Sequence, residues 1–384
     1  MSSGAREPEG NPQLLGIIRR EIAERGRITF ERFMELVLYH PAHGYYSAGG
    51  PRIGPEGDYY TSTDVSPLFG ATLGRQVVEM WELLGRPDPF HVVEHGAGKG
   101  LLAADLLGWA GAAHPEFYRA VRYLIVEVSP AARERQREHL WRLPVSWADD
   151  ADLEEDSVIG VCLSNELADA LPFHRIRMTG AGIDELWVVD DGLALGLAPG
   201  EPSDRRLEAY VERWGRALRP GQQAEVNLRA IDWARRVVRS LRRGFFLTID
   251  YGGRAEEVHG PDHPDGTLAC YYRHTRNRDP LRRVGEQDIT AHVNFSALAE
   301  AVREAGGEVT GYTTQGYFLA ALGIGEAVEW ALRRAKSARE FEQARAQVEE
   351  LVRPDGLGGF KVLVAHKGLM SPVLRGLSLL SEEI

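Results

Sequence analysis

Cysteine is nearly absent from this chain of 384 residues, which has only Cys162 and Cys270. That excludes a disulfide scaffold and a cysteine-based zinc site. Both thiols sit among apolar or aromatic neighbours and read as buried and reduced. Long apolar runs are also missing, and none approaches the ~20 residues that a membrane-spanning helix needs. There is no internal repeat and no low-complexity tract. A net charge of −11 gives no general attraction for nucleic acid or anionic membrane, so neither is expected as a partner. The arginine clusters at Arg239, Arg242 and Arg243 and from Arg273 to Arg283 read as solvated faces, with a grip on an acidic partner as the alternative. The opening MSSGAREPEG is polar and partly acidic, unlike a targeting segment, so a soluble cytoplasmic protein is expected.

What is present is ample apolar material, 43% of residues, enough for one elaborated domain or two. Residues 11–40 read as two helices with Thr29 as a cap for the second. A Gly/Pro/Tyr-rich loop follows, PAHGYYSAGGPRIGPEGDYYTSTDVSP, of the length usual for lids and binding loops. Its Tyr45, Tyr46, Tyr59 and Tyr60 suit stacking on a ligand or plain loop anchoring. Strands and helices then alternate: FHVVEHG, YLIVEVS, SVIGVCLSN and FFLTIDYG are apolar runs with little alternation, as in a parallel sheet buried on both faces. ELWVVDDGLALGLA reads as a hairpin, residues 205–243 as helical, EVTGYTTQGYFLAALGI and GFKVLVAHKG as late strands, and residues 326–352 as a charged helix offering a solvated face or a homodimer contact. The expected fold is α/β, a Rossmann-like, doubly wound, mostly parallel sheet with a helical N-terminal cap and insertions. Four consecutive stretches are drawn: 1–75 for the cap, 76–180 and 244–384 for the two halves of the core, and 181–243 for an insertion on the substrate side, with a further helical insertion at about 326–356.

The stretch VVEHGAGKGLL places three glycines, Gly96, Gly98 and Gly100, between a strand and a helix start, the usual seat of a polar cofactor. The spacing G-x-G-x-G is not the G-x-G-x-x-G of a nicotinamide site, and no G-x-x-x-x-G-K-[ST] phosphate loop occurs. Glu94 would be awkward beside a pyrophosphate but suits a cofactor bearing an amino group and a sulfonium. Glu127, ending the next strand, is placed for two ribose hydroxyls, and Asp149, after a third strand, for an adenine amino group. This order of acids and glycines is the arrangement of class I S-adenosylmethionine methyltransferases, so S-adenosyl-L-methionine is the expected cofactor. No metal site is expected: His40 and His43 lack cysteine partners and helical spacing.

The fourth strand ends in SNELADALPFHR, and ligands bind at strand C-termini in such sheets. Asn165, Glu166 and Asp169 are therefore candidate catalytic residues. The alternative is a helix start with Asn165 as cap and Glu166 favoured by the helix dipole. HPAHGYYS, GDYYTSTDVSPLFG, VVEHGAGKG, NELADALP, GTLACYYRH and DITAHVNF together resemble the MidA family, methyltransferases of mitochondria and bacteria linked to complex I assembly. The resemblance runs from about residue 11 to 367. It implies methylation of an arginine guanidinium in a protein partner. Carboxylates such as Glu166 and Asp169 would then hold the guanidinium, with Glu166 or His292 as base; a structural histidine is the other reading of His292. Asp250, Tyr251 and Asp288 are expected to line the same pocket, with Glu225 a further candidate. Two departures from the family pattern, Thr63-Asp64 for Pro-Glu and Asn294 for Asp, raise the alternative of free arginine or another small guanidine or amine as substrate. A non-catalytic, cofactor-binding assembly factor is a third possibility.

Overall fold

A computed structural model describes residues 10–47, 57–58, 60–326, 328–329 and 337–384. Contacts group the chain into two units, each assembled from alternating segments. The first takes the chain before Tyr60, Asp169–Arg229 and Ala255–His292; the second takes Tyr60–Ala168, Ala230–Arg254 and Val293–Ile384. The four consecutive stretches drawn from the sequence cut across this division.

The second unit is built on seven strands: β1 (Phe90–His95), β2 (Val121–Val126), β3 (Val145–Ala148), β4 (Val158–Asn165), β5 (Leu241–Asp250), β6 (Glu308–Thr314) and β7 (Lys361–Lys367). Their spatial order is β6-β7-β5-β4-β1-β2-β3. The run from β5 to β3 pairs in parallel, whereas β7 is antiparallel to both its neighbours. Val92, Val161, Leu163, Phe245 and Leu247 are buried in one cluster with Phe69 and Leu73 of helix Pro67–Leu83 and Leu102 and Leu106 of helix Leu101–Ala113. The expected mostly parallel, doubly wound core is what forms. Polar residues gather where the central strands end: Glu94 and His95, Ser164 and Asn165, Thr248 and Asp250.

The first unit is less helical than its sequence suggests. The two leading helices form as expected, Pro12–Arg25 capped by Asn11 and Phe30–Tyr39 capped by Thr29, whose hydroxyl accepts the Arg32 amide at 3.0 Å. The hairpin forms too, as Ile183–Asp190 paired with Leu195–Gly200. Yet the 205–243 stretch is not continuous helix: between helices Arg206–Trp214 and Leu228–Ser240 lies a strand, Gln223–Val226, paired with His174–Met178. These strands and the two-residue Ile28–Thr29 make a five-stranded antiparallel sheet. A second sheet of three short strands comprises Ala269–Tyr272, Thr275–Asn277 and Asp288–Thr290. Phe30, Phe33, Phe173, Leu268, Cys270 and Ile289 share the buried core.

Smaller corrections concern the late elements. EVTGYTTQGYFLAALGI splits into β6 and helix Gln315–Ala321, with Thr314 as the cap between them. Within the expected charged helix, Ala338–Val352 is helical. Tyr59 and residues 48–56 of the tyrosine-rich loop lie outside the described residues. Cys162 and Cys270 are buried and free. Among the described residues no helix is long and apolar enough to cross a membrane.

One glycine at the centre of the sheet is fixed by close approach. Gly160 of β4 lies opposite His91 of β1 at φ 154°, and a Cβ there would meet the His91 carbonyl oxygen at 1.9 Å. Gly160→Ala is expected to destabilise the chain by about 1–3 kcal/mol, the usual cost of forced backbone shifts. The urea midpoint measures it; an unchanged midpoint would contradict this account.

Candidate functional site

The glycine turn follows β1 directly. Gly96, Gly98 and Gly100 have φ of 70°, 54° and 79°, a left-handed run that residues with a Cβ adopt at a cost. The Gly96 amide donates to the carbonyl of Val126 at the end of β2, and Gly100 caps the helix Leu101–Ala113. A Cβ on Gly100 would come within 2.9 Å of the end of the Leu140 side chain, which would have to shift. This is a cradle of the kind that lets a ligand approach backbone closely.

Three acids surround it. Glu94 is buried, accepts the Tyr123 hydroxyl at 2.8 Å, and is pushed up to about 7, mainly by burial, partly by repulsion from Glu127. A cationic ligand group beside it would favour its ionised form. Glu127 accepts the Ser129 amide at 2.9 Å and is also raised by burial. Asp149 is largely exposed and pairs with Arg133.

Two residues not singled out in the sequence hold these parts together. Gln136, fully buried, donates to the Gly98 carbonyl at 2.9 Å and to Glu127 at 3.2 Å, and accepts from the Trp147 indole at 2.9 Å. Arg133 donates to the carbonyls of Glu127 and Ala148, fastening the ends of β2 and β3. Gln136 had a visible signal: it stands four residues from both Ala132 and Leu140, on the buried face of its helix.

The end of β4 carries the second set. No helix starts there: Glu166 has φ 53° and its amide donates to the Ile249 carbonyl at 2.8 Å, so the alternative with Asn165 as a helix cap is overturned. A left-handed non-glycine residue is strained by about 1–3 kcal/mol and persists only where its surroundings over-determine it. Here they do. Glu166 Oε1 accepts the Ser62 amide at 2.9 Å and the Asn165 side-chain amide at 3.0 Å. Burial pushes the Glu166 carboxyl up to about 7 against the lowering effect of those two donors, and the negative Asp64 adds to the rise. With its nitrogen committed to Glu166, the Asn165 side-chain oxygen is buried and accepts no hydrogen bond among the described residues. An acceptor left so costs about 1–3 kcal/mol until a donor arrives.

The structure does not bring every expected residue to this end. Asp250 is fully buried, and its oxygens accept the amides of Leu167, Ala168 and Tyr251; it holds the turn after β4 rather than offering a face to substrate. The Tyr251 ring packs 5.5 Å from Phe360, and its carbonyl accepts the Val293 amide. Asn294 accepts the Ala297 amide at 3.1 Å as the cap of helix Phe295–Glu304, a task Asp would do as well, so this departure from the family pattern has a local structural use.

Asp169, Glu225, Asp288 and His292 belong to the first unit. Glu225 is buried, accepts both the amide and the hydroxyl of Thr267, and faces Arg175 at 3.6 Å. Asp288, also buried, accepts the Tyr46 hydroxyl at 2.6 Å and the Ile289 amide at 2.9 Å. Both acids hold backbone and side chains, and Glu225 Oε1 is buried without a hydrogen-bond partner among the described residues. Tyr45 likewise anchors its loop, donating to Asp58 at 2.8 Å. Asp169 is buried, and its carbonyl accepts the Ala291 amide. His292 is pushed down to about 4 by burial and by His263, Arg276 and Arg278, which makes it a weak base. No cluster of three or more metal-binding side chains occurs among the described residues.

A sheet of this order, with a glycine turn after β1 and acids ending β1 and β2, defines a class I S-adenosylmethionine-dependent methyltransferase. Residues 72–313 match the family described as S-adenosyl-L-methionine-dependent methyltransferase, and the chain belongs to that family, with S-adenosyl-L-methionine as its cofactor. Similar proteins are the Protein arginine methyltransferase NDUFAF7 homolog, mitochondrial, of Drosophila melanogaster, 28% identical over 96% of this chain and 88% of its own, and the Mus musculus NDUFAF7 protein, 29% identical over the same shares. A crystal structure of a superfamily member from Burkholderia thailandensis, bound to S-adenosyl-homocysteine, is similar with a TM-score of 0.86 and 34% identity over 96% of this chain and 95% of its own. The resemblance to the MidA family seen in the sequence is thus borne out.

Glu94 yields a test with opposite effects on stability and binding. Its ordinary value is 4.5 and its folded value about 7, so between them the fold keeps a proton that the unfolded chain has released. Stability is therefore lost as pH rises through this window, by on the order of 3 kcal/mol for the full shift. Glu94→Gln is expected to melt higher than the parent at pH 8 and close to it at pH 4.5, while binding S-adenosyl-L-methionine about tenfold more weakly through loss of a charged contact. Calorimetric scans and titrations check both halves.

Proposed function

We propose that this chain methylates an arginine guanidinium in a protein partner. The observation that carries the reading is the pair at the end of β4: a strained, half-buried Glu166 whose carboxylate is fixed by two donors, beside an Asn165 oxygen that lacks one. A planar cation with several N–H donors suits both groups at once. The names of the animal relatives, protein arginine methyltransferase, support the same acceptor.

When bound, S-adenosyl-L-methionine supplies an electrophilic methyl on a sulfonium. The glycine turn, Glu94, Glu127 and Asp149 would hold it. Glu166 and Asn165 would hold the guanidinium, drawing positive charge toward the gripped nitrogens and leaving another with more lone-pair character. The nitrogen that gains the methyl sheds a proton, and Glu166, near neutrality, is the better acceptor than His292. The free-arginine alternative rested on two departures in the sequence; Asn294 is a helix cap, and Asp64 retains an acid in the other. We also propose a cytoplasmic location and a homodimer, which fractionation and sedimentation test; the animal relatives carry mitochondrial names.

The test incubates the parent and Glu166→Gln with methyl-labelled S-adenosyl-L-methionine, free arginine and a cell lysate, then separates protein from small molecules by acid precipitation. Label is expected in the parent's protein pellet, with kcat lower by about a hundredfold in Glu166→Gln and S-adenosylhomocysteine still bound. Label confined to the soluble fraction, or undiminished transfer by Glu166→Gln, would overturn the proposal.

A further inference from the structure

We infer that Asp64 and Lys99 form a positioning pair that ties the glycine turn to Glu166, so that the loop receiving the cofactor also sets the carboxylate that receives the substrate. The inference rests on the role proposed for Glu166. Lys99 is the residue between Gly98 and Gly100, and its ammonium lies 2.5 Å from Asp64 Oδ1. The Asp64 side chain is 5% exposed against 40% for Lys99, so the cation reaches inward to a buried partner. The other Asp64 oxygen accepts the amide and the hydroxyl of Thr61, at 3.2 and 3.0 Å. One residue on, the Ser62 amide donates to Glu166. The chain of contacts from turn to carboxylate is therefore Lys99, Asp64, Thr61, Ser62, Glu166.

The segment between the two ends cannot hold itself. Ser62–Val65 is a four-residue helix, a single turn, and such a turn has no stability of its own. Its geometry comes from outside anchors. On one side Ser62 Oγ donates to Gln315 Oε1 at 3.1 Å, and Gln315 in turn donates to the Leu351 carbonyl of helix Ala338–Val352. On the other side stands Lys99. Removing the ammonium frees that side of the turn and changes where the Ser62 amide points.

The pair also sets the field at Glu166. Among the described residues of its unit, Asp64 is the charged group that acts on this carboxyl, pushing it up. Lys99 offsets Asp64 by direct pairing. Asp250, ending β5, turns its oxygens onto the amides of Leu167, Ala168 and Tyr251. Glu350, on the helix behind the segment, is bound by Arg353 and Tyr60. Loss of the Lys99 charge leaves Asp64 uncompensated, so Glu166 holds its proton to higher pH. Loss of the Asp64 charge leaves the lysine uncompensated, so Glu166 releases its proton at lower pH.

The test compares Lys99→Met and Asp64→Asn with the conservative Lys99→Arg. With methyl-labelled S-adenosyl-L-methionine and a lysate, the parent's transfer is expected to rise with pH to a plateau above about 7, where Glu166 is ionised. The acid limb is expected to move up in Lys99→Met and down in Asp64→Asn, each by about half a unit or more. In both, kcat falls about tenfold or more with S-adenosylhomocysteine affinity little changed, and Lys99→Arg restores most of the rate. A staple that only holds the fold would move both limbs the same way or neither. A readout free of activity accompanies it: the titration of the Glu166 carboxyl carbon by isotope-edited NMR in the S-adenosylhomocysteine complex, assigned by its absence in Glu166→Gln. Opposite shifts there sustain the positioning pair even where no arginine acceptor is methylated, an outcome that fells the proposed function alone. Unshifted or same-direction titrations overturn the pair.

Discussion

The bond on which the site depends is the one from the Ser62 amide to Glu166 Oε1. A carboxylate buried at the end of a parallel strand loses its hydration and stays ionisable near neutrality only if protein donors replace water. Glu166 obtains those donors by adopting a left-handed backbone, which turns its side chain away from the helix direction usual after such a strand and onto the 61–65 segment. The strain, the raised carboxyl and the open oxygen on Asn165 are consequences of one local geometry. The raised carboxyl and the open oxygen are costs to the fold that a bound guanidinium would reduce.

The sheet makes that geometry available. Parallel pairing of β1, β4 and β5 sets His95, Ser164 and Thr248 in register, so the three strands end together and their following turns share one edge. At β1 the turn is glycine-lined and is the seat proposed for the cofactor. At β4 it is Asn165-Glu166. At β5 Asp250 is used up in fastening the β4 turn. Of the three adjacent strand ends, the middle one carries the acid proposed for chemistry.

The glycine turn was legible because its signal is backbone: positive φ at three alternate residues favours glycine, and glycine is visible in a sequence. The form of the Asn165-Glu166 turn was not legible, since an Asn before a Glu also suits a helix cap and only the tertiary contact with Ser62 decides. The amide-holding contacts of Asp250, Glu225 and Asp288 were not legible for a physical reason. A buried acid that accepts backbone amides and one that faces a substrate look alike in sequence, because the donors come from residues far along the chain, Thr267 for Glu225 and Tyr46 for Asp288. The first unit hid its sheets for a related reason: strands of two to five residues, such as Ile28–Thr29 and Gln223–Val226, are too short to display a period and exist through their partners.

The most direct measurement is a crystal structure of the chain with S-adenosylhomocysteine and an arginine-containing peptide. The account requires a guanidinium nitrogen donating to the Glu166 carboxylate, another donating to the Asn165 oxygen, and the cofactor's sulfur on the same side, over the glycine turn. A guanidinium bound elsewhere, with Glu166 touching only Ser62 and Asn165, would contradict it.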